Sequence, residues 1–120
     1  SNALAHQNIA TLHLRARRFG EAEAALRRAL DADSTLAGAW TGLGVVLSEG
    51  GRRAEALDAW RRAVSLDPNE FNALYNLTVQ LFEAGQTAEA RRFGERFVAA
   101  APPALFGPDI ARIRALLQRQ

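Results

Sequence analysis

The sequence predicts an all-α fold in which helices pair as antiparallel hairpins and the hairpins stack. Three observations predict it. Apolar residues recur at spacings of three and four, as in Leu43, Val46 and Leu47, then Ala56, Leu57, Trp60, Ala63 and Val64. Alternating β-branched runs, the mark of half-buried strands, are missing. Finally, the chain repeats itself: a shift of 34 residues matches seven of the fifteen positions Gly20–Ser34 to Ala54–Pro68 without a gap.

The elements follow in order from their boundaries. A first helix over about 4–17 gives way at Arg17–Gly20, and a second over 20–33 stops near Ser34. The third, 36–48, ends at Gly50-Gly51, and the fifth, 70–84, ends at Gly85; these glycines suit the left-handed conformation that closes many helices. The fourth, 52–66, is cut off by Asp67-Pro68-Asn69, because proline disfavours helical geometry in the residue before it. The sixth, 87–100, runs into the Ala101–Pro108 break. Pro108-Asp109 suits the first turn of a seventh, 108–119, whose Ile110, Ile113 and Leu117 share one stripe, as a capping helix requires. Such short connections force consecutive helices into hairpins.

Composition narrows the function. At 120 residues, 48% hydrophobic and 23% charged, the chain suits one soluble domain with a core. No apolar run is long enough for membrane insertion. There is no cysteine, which removes disulfides, thiolate metal sites and cysteine nucleophiles. All fifteen basic residues are arginine, and with the many alanines this leads us to expect a GC-rich, bacterial source. A net charge of +2 is too small for a nucleic-acid partner. Ser1-Asn2-Ala3 reads as a cloning remnant, residues 1–3, and nothing about a leader follows from where the chain starts. The cytoplasm is the favoured compartment.

A second shift of 34 keeps Leu43/Leu77, Leu47/Leu81, Gly51/Gly85, Glu55/Glu89, Ala56/Ala90, Val64/Val98 and Pro68/Pro102. With Trp40, Leu43, Gly44 and Leu47 in a first helix, Ala56, Trp60 and Ala63 in a second, and Pro68 at the close, the middle unit resembles the tetratricopeptide repeat. The resemblance implies a right-handed superhelical stack, a TPR-like α-solenoid. Its repeats fall at about 4–34, 35–68 and 69–102, followed by a linker and capping helix at 103–120. The outer units depart from the pattern. His6 and His13 stand in the tryptophan and tyrosine places of the first. In the third, Gly94 and Phe97 stand where Trp60 and Ala63 lead one to expect a bulky and a small residue. Gly94 costs roughly 1 kcal/mol of helix propensity relative to alanine, and close approach of the last helix is the expected compensation. Trp60 is expected in the core.

No cofactor, metal or catalytic site is expected. His6 and His13 share a face, but no third ligand completes a zinc site. The carboxylate pairs Asp31/Asp33 and Glu21/Glu23 point to different faces. Arg27-Arg28 and Arg61-Arg62 recur at the repeat period; with Glu23 before Arg27 and Asp58 before Arg62, they read as solvated i,i+4 pairs and not as a phosphate ridge.

The resemblance also implies a use. In similar proteins the first helix of each unit lines a concave groove that receives a peptide or partner segment. Carried over, this places Gln7, Asn8, Thr11 and Leu14, then Thr41, Val45 and Ser48, then Asn72, Tyr75, Asn76 and Val79 in the groove. Phe82 either joins them or turns into the core beneath the last helix. Family members that clamp chaperone carboxylates need cations across the groove, where this chain has Gln7, Thr11, Gly42, Asn72 and Asn76. Asn8 and Asn76 are instead similar to asparagines that hold an extended peptide backbone, with Gly42 interrupting the row. The expectation is a protein–protein interaction module, not an enzyme. The alternatives are the helical arm of a larger multidomain enzyme, for example a transferase, and self-association through the exposed N-terminal repeat.

Overall fold

The computed structural model describes residues 2–119; of the residues read above as remnant and cap, Ser1 and Gln120 lie outside them. Among the described residues there are seven helices and no strand: α1 (Ala3–Arg15), α2 (Phe19–Ala32), α3 (Ala37–Glu49), α4 (Arg53–Leu66), α5 (Phe71–Glu83), α6 (Thr87–Ala100) and α7 (Pro103–Leu117). Consecutive helices pack as hairpins. The odd-numbered helices α1, α3, α5 and α7 also touch in succession and form an inner layer, while α2, α4 and α6 sit outside. The stack measures 46 × 29 × 25 Å.

The hairpin turns repeat one backbone device. Gly51 (φ 76°) and Gly85 (φ 78°) are left-handed, and so is Arg17 (φ 58°), which stands at the same register one repeat earlier. Behind each, the next amide reaches back to the preceding helix: Arg18 N–H to His13 O (2.8 Å), Arg52 N–H to Leu47 O (2.9 Å) and Gln86 N–H to Leu81 O (2.9 Å). These bonds satisfy carbonyls the helix would otherwise leave open. Gly50, expected to share the left-handed role with Gly51, has φ −84°. The connections from α2 to α3 and from α4 to α5 are aspartate turns. Asp33 Oδ1 accepts from the Thr35 amide and hydroxyl, and Asp67 Oδ1 accepts from the Asn69 amide.

The core shows why the repeats tolerate different residues. The second and third hairpins cross at one inner and one outer position related by the 34-residue register, Gly44 and Trp60, then Thr78 and Gly94; the same register in the first falls on Ala10 and Leu26, both buried. Trp60 is 2% exposed and lies directly over Gly44, where any β-carbon would collide with the indole ring. Because glycine leaves the α3 backbone open there, the indole N–H reaches Thr41 O at 3.1 Å. In the third hairpin the bulk is exchanged. Thr78 takes the inner place, fully buried, with its hydroxyl donating to Leu74 O, and glycine takes the outer one. A β-carbon at Gly94 would stand 3.2 Å from Thr78 Cγ2, Ile113 Cγ2 and Leu117 Cδ2. The expected close approach of the last helix is therefore found, through Ile113 and Leu117.

The last helix begins earlier than 108. It starts at Pro103, and Phe106 (φ −124°, ψ 23°) breaks the helical geometry, so that α7 is two helical pieces joined at a kink just before Pro108. The kink has a packing reason. Phe106 meets Phe71 and Phe97 edge-on, with ring centroids 5.7 and 5.8 Å away, and Phe97 is fully buried against both Phe71 and Tyr75. The far end of α7 is held by Arg91 on α6, whose guanidinium donates to Leu117 O and Arg119 O.

Candidate peptide-binding groove

The sequence-expected residues lie on the inner helices α1, α3 and α5, at different depths. Asn8, Thr11 and Asn72 are exposed; Gln7, Leu14, Val45, Ser48, Tyr75, Asn76 and Phe82 are half-buried. The Gln7 amide lies against Gly38 on α3, which has no side chain to keep it away. Leu14 leans toward Gly42, so the glycine that interrupts the asparagine row is where side chains of α1 and α2 close over α3. Thr41 and Val79 are corrections to the expected exposed lining. They are only 9% and 8% exposed and form floor, Thr41 because its hydroxyl turns to Ala37 O and its carbonyl takes the Trp60 indole.

Half-buried Tyr75 already has partners within the fold: its ring tilts against Phe97 at 5.7 Å, and its hydroxyl accepts from Arg112 of α7 at 2.9 Å. Phe82 packs on the edge of the core and at the same time lines an open cavity of about 370 Å³ between α5 and α7. Groove and core meet at this ring.

Polar groups along the layer are largely unspent. Among the described residues no intramolecular hydrogen bond engages the side-chain amides of Gln7, Asn8, Asn72 or Asn76. Each offers a donor and an acceptor. No group of three or more His, Cys, Asp or Glu side chains among the described residues could hold a metal ion, and no helix is long and apolar enough to cross a membrane.

The outer face is charged and mostly self-satisfied. Arg27 pairs with Glu23 at 2.9 Å, as the spacing predicts. The expected Asp58–Arg62 pair is not formed. Asp58 pairs with Arg61 instead, and Arg61 forks onto both oxygens of Glu89 on the next outer helix at 2.8 Å. Arg62 is left to lie over the Trp40 ring, 5.8 Å from its centroid. The Arg61 fork holds the Glu89 carboxyl below its ordinary range. By contrast, burial, then the nearby Asp67, raises that of Glu70. The Arg61 contact was invisible in the sequence, since its partner lies 28 residues away.

The architecture described is that of an α-helical repeat solenoid with an accessible inner face. The tetratricopeptide repeat profile matches residues 8–52 and 41–104, so the chain belongs to the tetratricopeptide repeat family. No curated protein matches it by sequence. Among solved structures it is similar to MamA, at 21% identity and a TM-score of 0.76 over 82% of the chain. The chain spans 58% of the length of that protein. It is similar too to the Yersinia enterocolitica type III secretion chaperone SycD in complex with a peptide of the translocator YopD, at 16% identity and a TM-score of 0.84 over 95% of the chain and 88% of SycD. The first TPR of Spaghetti (RPAP3), bound to an HSP90 peptide, matches at 18% identity and a TM-score of 0.82, over 98% of the chain and 97% of that domain.

Proposed function

We propose that the chain is a non-catalytic binding module that holds an extended segment of a partner protein along the inner face of α1, α3, α5 and α7. The observation that carries this is the set of unengaged amides, Gln7 and Asn8 at one end and Asn72 and Asn76 at the other. A side-chain amide matches the peptide unit, donor to acceptor and acceptor to donor, and so grips a backbone without demanding one sequence. Apolar surface at Val45 and Phe82 adds affinity between these grips. The peptide complexes of SycD and of RPAP3, which share the fold, support the reading.

Purified chain used as bait for host proteins, beside an Asn72→Ala/Asn76→Ala variant, tests it. The variant should keep its melting temperature, because these amides make no internal hydrogen bond among the described residues, and should lose the captured partner. Capture unchanged in the variant would remove the groove from the function.

One more observation favours self-association as a second reading. Leu4, Ile9 and Leu12 of α1 are exposed, 59%, 46% and 64%, on the end of the stack opposite α7. Sedimentation over a range of concentrations should show dimers that an Ile9→Gln/Leu12→Gln variant abolishes; a monomer throughout would discard this reading.

A further inference from the structure

We infer that the partner segment is acidic, and that its carboxylates are received where α7 closes the groove, by Arg112 and Arg119 over an apolar floor of Val79, Phe82 and Leu116. This inference rests on the groove reading and says which peptides the groove prefers.

The starting point is a ladder of ion pairs along one edge of the stack. Arg17 pairs with Glu49 at 4.0 Å, and Arg53 pairs with Glu83 at 3.7 Å, each tying a hairpin turn to the end of the following inner helix. The next rung breaks the pattern. Thr87 stands 34 residues after Arg53 and Leu117 stands 34 residues after Glu83, so neither charge of the earlier rungs recurs, while Arg119 follows just past the end of α7. Among the described residues neither Arg119 nor Arg112 lies within ion-pair distance of a carboxylate. The polar partner found for Arg112 is the neutral Tyr75 hydroxyl. Arg112 lies on α7 and Arg119 just past its end, and both reach the same cavity.

These two cations border the cavity of about 370 Å³ already noted, and Thr87 completes its rim. Glu83 also lines it, but is drawn toward Arg53. The cavity is too small for a folded domain and shares Val79 and Phe82 of α5 with the inner layer, so it suits side chains projecting from an extended segment. A guanidinium fork matches a carboxylate in shape as well as charge, and the neighbouring apolar floor shields the contact from water. The occupant that fits is a peptide carrying glutamate or aspartate beside an aliphatic residue.

Fluorescence anisotropy with two short, end-blocked, labelled peptides tests this: one alternating glutamate and leucine, the other with glutamine for each glutamate. The acidic peptide should bind about ten-fold tighter, the effect expected of a charge-assisted hydrogen bond at a partly dry site, and its advantage should shrink with salt. Arg112→Gln/Arg119→Gln should erase the preference and leave the affinity for the glutamine peptide unchanged. If loss of the Tyr75 contact unfolds that variant, Arg119→Gln alone should still reduce the preference. Equal binding of the two peptides, or a preference that survives both variants, would overturn the inference. So would competition by free succinate at the peptide's own concentration, which would mark a small-molecule carboxylate site. Asn72→Ala/Asn76→Ala separates the two readings: it should weaken both peptides alike, and an undiminished affinity there with an intact arginine-dependent preference would sink the amide grip alone.

Discussion

The second and third hairpins solve the same crossing in opposite ways. In the second, the outer helix supplies Trp60 and the inner helix gives way at Gly44; in the third, the inner helix supplies Thr78 and the outer gives way at Gly94. The difference follows from what comes next along the stack. Behind the second hairpin lies another full repeat, and a tryptophan can fill the space. Behind the third lies α7, and the missing side chain of Gly94 admits Ile113 and Leu117 close to α6. What is kept is close packing, not residue type: the smaller Thr78–Gly94 pair is filled out by Ile113 and Leu117, as expected of interiors packed to crystal-like density.

The most severe way to break the comparison is at Trp60. Trp60→Ala removes the ring and its hydrogen bond to Thr41 O, and should cost about 3–5 kcal/mol, the range for a buried aromatic. Chemical denaturation should show that loss as a lower midpoint with an unchanged slope. A midpoint shift no larger than that of a surface substitution would take Trp60 out of the core.

The two glycines test the exchange itself. Gly44→Ala drives a methyl into an indole ring that has nowhere to move, and should cost about 2–3 kcal/mol despite the gain in helix propensity. Gly94→Ala meets only methyl groups at the ends of side chains, so crowding offsets a propensity gain of roughly 1 kcal/mol and the net change should stay within about 1 kcal/mol. Similar melting temperatures for the two variants would refute the account of the exchange.

Electrostatics sharpen the comparison along the outer face. Glu89 in the third hairpin is gripped by Arg61 of the second, whereas its counterpart Glu55 pairs with Arg52 of its own unit. The folded-state pKa of Glu89 is lowered, so its contribution is present above the unfolded value of about 4.3 and disappears as pH falls through the lowered folded value. Glu89→Gln should therefore cost about 1 kcal/mol at neutral pH and nothing at a pH below both values. A loss that persisted in acid would mean that packing, not charge, is what the glutamine disturbs.

The smallest effect is expected in the first hairpin, where Arg17 adopts the left-handed conformation that Gly51 and Gly85 hold in the others. Arg17→Gly should raise stability by about 0.5 kcal/mol, strain relief partly offset by the greater freedom of glycine in the unfolded chain. A lower melting temperature would show that the Arg17 contacts with Phe19 and Glu49 outweigh its strain.

Much of the fold was legible because its causes are local or periodic. Helix limits followed from glycine, proline and aspartate turns, and the burial of Trp60 followed from the 34-residue register. The groove was read less well. Thr41 and Val79 fall at the expected face but sink into the floor, and Tyr75 is occupied by Phe97 and Arg112. A helical period tells which residues share a face, not how deeply a neighbouring helix covers it. The role of Arg112 and Arg119 gave no signal at all, since α7 lies outside the repeat and its register against α5 is not set by a period.

By itself, then, the amino-acid order determined that the chain is helical, where it turns, and that one hairpin is repeated, because hydrophobic spacing and backbone-restricted residues act over a few positions. Tertiary structure alone decided the kink at Phe106, the fork of Arg61 onto Glu89 of the next outer helix, and the placing of Arg112 and Arg119 where no carboxylate among the described residues pairs with them. Each depends on which atoms from distant segments arrive at the same place, and close packing settles that only when every helix is present.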